Sequence, residues 1–180
     1  MQNDYRILCT GNPNDYTIAR AVKQIFPNAD FACRSTGYDL RMWNTADEEY
    51  FKKNIVNYNI LINSSFIANG TQQKILELTY ELWKDTDCYV FNVGSTAEYE
   101  GRNSFLSHYS VQKRALKDTS LSMCSKKFKT THMTVGGLND NKTNNENNLD
   151  PVHVATSIKW ILDNKVQIPI IGIEQFHNEK

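Results

Sequence analysis

Short apolar, β-branched runs alternate with longer amphipathic stretches along the whole chain. YRILCT (5–10) has the character of a strand, and TIARAVKQIF (17–26) that of a helix stopped by Pro27. DFACRS (30–35) reads as a second strand, with GYDL (37–40) as a short third. TADEEYFKKNIVNY (45–58) follows as a helix, with Thr45 as N-cap and acids in its first turn. NILINSS (59–65) is strand-like. TQQKILELTYELWK (71–84) places Ile75, Leu78 and Leu82 on one helical face, and CYVFNVGS (88–95) is the clearest buried strand. A helix is expected from about Asn103 to Lys127, then a strand over HMTVGG (132–137). The asparagine-rich LNDNKTNNENN (138–148) has no period and reads as a surface loop. Asp150-Pro151 opens a helix through Trp160, proline being favoured at the first helical position, and IPIIGI (168–173) is the last strand.

Strands alternating with helices predict an α/β fold, a doubly wound parallel sheet with helices on both faces. The length of 180 residues suits one domain over 1–180, and neither an internal repeat nor a linker divides it. Lys+Arg 20 against Asp+Glu 20 balances the charge, which argues against nucleic acid or membrane as a partner. The one basic cluster, Lys126, Lys127 and Lys129, is expected at a helix C-terminus, where cations complement the dipole. Cys9, Cys33, Cys88 and Cys124 have neither paired nor metal-like spacing and suit a reduced, cytoplasmic setting, with no metal. The N-terminus lacks a signal-peptide pattern, and no apolar run is long enough to span a membrane.

Two segments place a tyrosine four residues before a lysine: Tyr109 and Lys113 in SHYSVQK, and Tyr80 and Lys84 in YELWK. With 9 Tyr in a lysine-rich chain, about one such pair arises by chance. Context separates them. In doubly wound folds ligands bind beyond the carboxyl ends of the strands. Tyr109 and Lys113 follow the buried strand whose end carries Ser95, so the three can converge on one crevice. Tyr80 and Lys84 stand at the far end of their helix, beside the start of the next strand, and are expected to be structural.

Ser95, Tyr109 and Lys113 match in type, order and spacing the short-chain dehydrogenase/reductase family, which pairs a serine after its fifth strand with Y-x-x-x-K in the next helix. The resemblance implies a Rossmann fold, a bound dinucleotide and hydride transfer between a carbonyl and an alcohol. An ordinary phenol is a poor proton donor at neutral pH, and a cation one turn away would bring its pKa down. Ser95 would hold the carbonyl oxygen while charge develops on it.

The nucleotide end departs from the family's TGxxxGxG, since Asp15 and Thr17 replace the later glycines, and an aspartate aimed at a pyrophosphate is repulsive. Gly11 followed by NPNDY and then Thr17-Ile18-Ala19 resembles instead the loop of enoyl-acyl-carrier-protein reductases, in which the hydroxyl residue and the helix N-terminus receive the phosphates. A plain turn and N-cap without a ligand is the alternative. Arg34-Ser35 ends the second strand where an acid would bind a free ribose hydroxyl, favouring NADP(H) over NAD(H). A solvated arginine is the bland alternative.

Further matches implied by the family are Asp39-Leu40 near the adenine and Asn63 as the first residue of its N-N-A-G motif. Gly136-Gly137 stands near the nicotinamide. The chain is shorter than most members between Asn63 and the next helix and between Gly137 and Asp150. The family's catalytic asparagine has only Asn69 as a candidate. His108, His132, His153 and His177 show no ligand-like spacing and read as structural. Helices 71–84 and 103–127 correspond to those that pair across a two-fold axis in the family. Leu78, Trp83, Phe105 and Leu116 read as spare apolar surface for a homodimer or homotetramer. The expectation is thus an NADP(H)-dependent oxidoreductase acting on a small carbonyl or alcohol. The alternatives are a non-catalytic nucleotide-binding sensor or scaffold and, less favoured, an interaction protein with no ligand.

Overall fold

A computed structural model describes residues 5–41, 43–66, 70–99, 107–139 and 148–175. Strands β1 (Ile7–Thr10), β2 (Asp30–Ala32), β3 (Ile60–Asn63), β4 (Cys88–Val93), β5 (Phe128–Val135) and β6 (Ile170–Ile173) form one sheet in the order β2-β1-β3-β4-β5-β6. Every neighbouring pair is parallel. Helices α1 (Ile18–Ile25), α2 (Thr45–Ile55), α3 (Thr71–Trp83), α4 (Ser107–Met123) and α5 (Pro151–Asn164) connect them. This is the expected doubly wound architecture.

The two-residue period of the strands divides the interior into two cores. Ile7, Cys9, Ile60, Ile62, Tyr89 and Phe91 face α1 and α5. Their neighbours Leu8, Leu61, Cys88 and Val90 face the other way, against Phe51 and Ile55 of α2, Ile75 and Leu76 of α3 and Leu116 of α4. Because both faces are covered, β1, β3 and β4 are buried at every position rather than at alternate ones. The order reverses between β1 and β3. There Ser64 and Ser65 donate their backbone N–H groups to Thr10 Oγ1, at 2.9 and 3.0 Å, closing the two strand ends together.

Several boundaries differ from the sequence expectation. Residues 37–40 form no strand. A 3-10 turn (Arg34–Thr36) follows β2, Gly37 takes the left-handed φ of 90°, and Tyr38 and Leu40 bury in the second core instead of pairing. The N-cap of α2 is Asn44, not Thr45: Asn44 Oδ1 accepts from Ala46 N at 2.8 Å and Asp47 N at 3.2 Å. On α3 the inner face is Gln72, Ile75, Leu76, Thr79 and Trp83, while Leu82 is exposed. β5 starts four residues before the expected strand. Its threonines are buried with their hydroxyls bonded, Thr130 to Ser120 O at 2.8 Å and Thr131 to Ile168 O at 2.6 Å. The basic cluster is therefore not a helix terminus. Lys126 and Lys127 lie in the bend after α4, and Lys129 sits in β5, paired with Asp87. Trp83 and Leu116 are buried within the chain rather than spare, Leu78 packs against the second core, and Phe105 lies outside the described residues. Among the described residues, no helix is long and apolar enough to cross a membrane.

Candidate active site

At the carboxyl end of β1 the chain turns at Gly11 with φ 127°, which a side chain would strain. A Cβ added there would stand 3.1 Å from both Ala19 Cβ and Ser65 Oγ. Beyond the turn opens a cavity of about 350 Å³ lined by Gly11, Asp15, Arg34, Ser35, Asp39 and Leu40 among others. Arg34 and Ser35 are exposed, and no carboxylate among the described residues pairs with Arg34. The hydrogen bond from Arg41 holds the Asp39 carboxyl below its ordinary pKa. Leu40 is a buried wall whose carbonyl accepts from Thr71 Oγ1 at 3.1 Å. Asp15 lines the same cavity, so the adverse charge seen in the sequence is present in the structure.

The remaining cofactor candidates fall elsewhere. Thr17 is the N-cap of α1 without a capping side-chain bond, and it borders a separate cleft of about 170 Å³ beside Arg20 and Asp150. The Ile18 side chain belongs to the core, which leaves only its backbone for a ligand. Asn63 is buried and donates to Gln72 O at 2.8 Å and Asn92 Oδ1 at 3.0 Å. Gly137, past the end of β5, is exposed, and its carbonyl accepts from Leu149 N at 2.7 Å. The enoyl-reductase-like loop remains a resemblance of sequence.

The serine, tyrosine and lysine do converge. β4 ends at Val93, Gly94-Ser95 leads into a 3-10 turn (Thr96–Tyr99), and α4 brings back Tyr109 and Lys113. Burial raises the Tyr109 pKa, the nearby Ser95 hydroxyl counters this in part, and the charge of Glu98 adds to the rise. The expected lowering of the phenol pKa by Lys113 is not found. The reason is where the ammonium points. Lys113 is 2% exposed and donates to Gln72 Oε1 at 2.9 Å and Val93 O at 2.8 Å, while its Nζ stands 5.5 Å from the Tyr109 ring centre. Burial pushes its own pKa down to about 7 against an upward pull from Glu98. Phe66 packs edge-on against Tyr109, with ring centres 4.5 Å apart, and its ring lies 5.2 Å from Lys113 Nζ.

The second dyad has no comparable surroundings. Tyr80 packs edge-on against Phe128 at 5.1 Å, and Lys84 pairs with Glu81 at 3.4 Å at the far end of α3. Both lie at the end of α3 away from the Ser95–Tyr109 cluster.

Two polar groups, Gln72 and Glu98, escaped the sequence reading, and His132, read there as structural, joins them. Gln72, near the start of α3, donates from Nε2 to Asn63 O at 2.6 Å and Val93 O at 2.9 Å while accepting from Lys113. It ties the ends of β3 and β4 to the lysine; Asn69, the residue sought for a neighbouring role, lies outside the described residues. Glu98 and His132 form a buried pair at 2.8 Å behind the Ser95 turn. One local signal marks it: a Cβ on Gly94 would stand 2.2 Å from His132 Nε2, so that glycine is what lets the ring in.

The parallel sheet order, with helices on both faces, defines a Rossmann-type α/β fold. Neither a family model nor a curated protein matches the sequence. Solved structures match the fold closely at low identity. An alcohol dehydrogenase from the archaeon Thermococcus sibiricus, complexed with 5-hydroxy-NADP, superposes with a TM-score of 0.77 at 10% identity, covering 97% of this chain and 98% of that one. A short-chain dehydrogenase from Streptomyces avermitilis gives 0.72 at 12% identity, over 96% and 89% of the two chains. The 3-alpha-hydroxysteroid dehydrogenase of Pseudomonas sp. B-0831, complexed with NADH, gives 0.71 at 12%, over 93% and 94%. At these identities the likeness is one of fold.

Proposed function

We propose that the chain, acting as one domain, is an NADP(H)-dependent oxidoreductase of the short-chain dehydrogenase/reductase type that interconverts a carbonyl and an alcohol. The observation that carries this reading is the approach of the Ser95 hydroxyl to the Tyr109 phenol beyond β4, with the Lys113 ammonium behind them. Ser95 holds the substrate oxygen, and Tyr109 delivers a proton to it as charge develops there. The dinucleotide, when bound, supplies or accepts the hydride. Gly11 lets the backbone approach its phosphates, with Thr17 and the Ile18 backbone at the start of α1 beside them. Arg34 and Ser35 receive the 2′-phosphate, and Asp39 and Leu40 border the adenine. Asn63 holds the Gln72 end of the site, and Gly137 lies towards the nicotinamide.

A panel of small ketones, aldehydes and quinones with NADPH tests the reading by cofactor oxidation. Turnover that disappears in Ser95→Ala supports it. One observation favours a second reading, a nucleotide-binding sensor: Phe66 covers the Tyr109 ring, and the hydrogen bonds of Lys113 run inward. Tight NADPH binding without turnover of any panel member would decide for the sensor. In either case a homodimer through the outer faces of α3 and α4 is proposed, where Leu82 and Val111 stay exposed. A monomer by light scattering at micromolar concentration would contradict that assembly.

A further inference from the structure

The interior behind the ends of β4 and β5 holds three charge-bearing side chains, Lys113, Glu98 and His132. Lys113 donates only to neutral oxygens, and no carboxylate among the described residues lies within ion-pair distance of it. An ammonium so placed sheds its proton readily unless a negative charge stands nearby. Every element around it contributes. From α3 comes the neutral Gln72, from β4 the Val93 carbonyl, and from the segment after β3 the Phe66 ring. From α4 come Tyr109 and, a turn further on, Lys117; from β5 comes His132. The sole anion of the group at neutral pH is Glu98, in the 3-10 turn.

Glu98 is 1% exposed, and its bonds keep it ionised. Oε1 accepts from Thr134 Oγ1 at 2.6 Å and stands 3.6 Å from Lys117 Nζ, while Oε2 pairs with His132 Nε2 at 2.8 Å. Burial alone would raise its pKa, but the bonds from Thr134 and His132 and the charge of Lys117 hold it below the ordinary value. His132 is driven towards its neutral form, chiefly by burial, so it donates Nε2–H, and its buried Nδ1 has no partner among the described residues. The backbone N–H of Glu98 also donates to Ser95 O at 3.0 Å, closing the turn that presents the serine hydroxyl.

We propose that Glu98 is a positioning residue of the site: it fixes the Ser95 turn against β5 and supplies the buried negative charge that favours the protonated form of Lys113. The proposal rests on the oxidoreductase reading only in treating Ser95, Tyr109 and Lys113 as the working groups. It accounts for the glycine at 94, since the Glu98–His132 pair needs the space a Cβ would fill.

The test follows the Lys113 side chain by NMR in protein carrying isotope-labelled lysine, its resonance assigned by its absence from Lys113→Met. In Glu98→Gln, which keeps shape and loses charge, the Lys113 titration midpoint should fall by about one pH unit or more. In Lys117→Met, which frees Glu98 from its other cation, the midpoint should rise; this variant also serves if Glu98→Gln does not fold. An unchanged midpoint in a folded Glu98→Gln, or no rise in Lys117→Met, overturns the proposal. Neither measurement needs turnover, so a wild type inactive on every carbonyl would sink the oxidoreductase reading alone. In an active enzyme the alkaline limb of the reduction pH profile should move to lower pH in Glu98→Gln, a displacement that loss of packing alone would not produce.

Discussion

Tyr109→Phe removes one hydroxyl and keeps the ring that packs on Phe66, so fold and nucleotide affinity should hold while carbonyl reduction falls at least about 10²-fold. Tyr80→Phe is the matched control: its ring packs on Phe128 far from the strand ends, and activity should stay within about twofold. Equal effects in an active enzyme would make the first dyad a coincidence. Lys113 carries a second, catalysis-free signature. Its pKa falls from the ordinary 10.5 to about 7 in the folded chain, so between those values the unfolded state binds more protons. Stability contributed by this group is full above the unfolded value and is lost as pH falls through the folded one. Wild-type unfolding free energy should therefore rise relative to Lys113→Met as pH climbs from 7 towards 10.5, read by urea titration. Parallel profiles would show that burial does not lower the Lys113 pKa. Ser95, Tyr109 and Lys113 were legible because one strand end and one helical turn fix their spacing. Glu98 and His132 were not: they meet across the β4–α4 connection and β5, 34 residues apart, and no local period records that contact.

Helix α2 shows how a correct element can carry a misplaced boundary. Asn44, Thr45 and Asp47 all suit a helix start, but only Asn44 has extended backbone at φ −130° and turns its side chain onto the first N–H groups. Asp47 Oδ2 returns the bond by accepting from Asn44 N at 3.0 Å. Asn44→Ala should cost about 1 kcal/mol, against about 0.5 kcal/mol or less for Thr45→Ala, measured by denaturant midpoint. The reverse order would put the cap back at Thr45. β5 was half missed for a different reason. KFKTTH reads as polar, yet its threonines fit a pleated, buried strand once Ser120 and Ile168 satisfy their hydroxyls, partners that only the fold supplies. GYDL failed the other way: Tyr38 and Leu40 have strand character, but their apolar faces are spent on the second core, and β2 remains the sheet edge.

At the scale of the molecule, alternation alone implied a parallel sheet, but not where its order reverses. That point is fixed by long-range bonds, Ser64 and Ser65 to Thr10, and it sets the cavity beside Gly11. The cavity's charges then argue against each other. Arg34 and Arg41 favour a phosphate, Asp39 engages Arg41 at 3.3 Å, and Asp15 opposes any anion that comes close to the turn. If Arg34 prevails, NADPH should stabilise the whole fold, since a ligand that binds only the native state adds about 2.7 kcal/mol at one hundred times its Kd. For a chain of this size that corresponds to a rise in Tm of about 5–10 °C. NADH at the same concentration should give a smaller shift. Arg34→Asp should remove most of the NADPH shift and leave the NADH shift nearly unchanged, because the new carboxylate repels the 2′-phosphate and can accept from a free ribose hydroxyl. Equal shifts with both nucleotides in the wild type would refute the NADP(H) preference. Loss of both shifts in Asp39→Asn but not in Arg34→Asp would place recognition at the adenine instead.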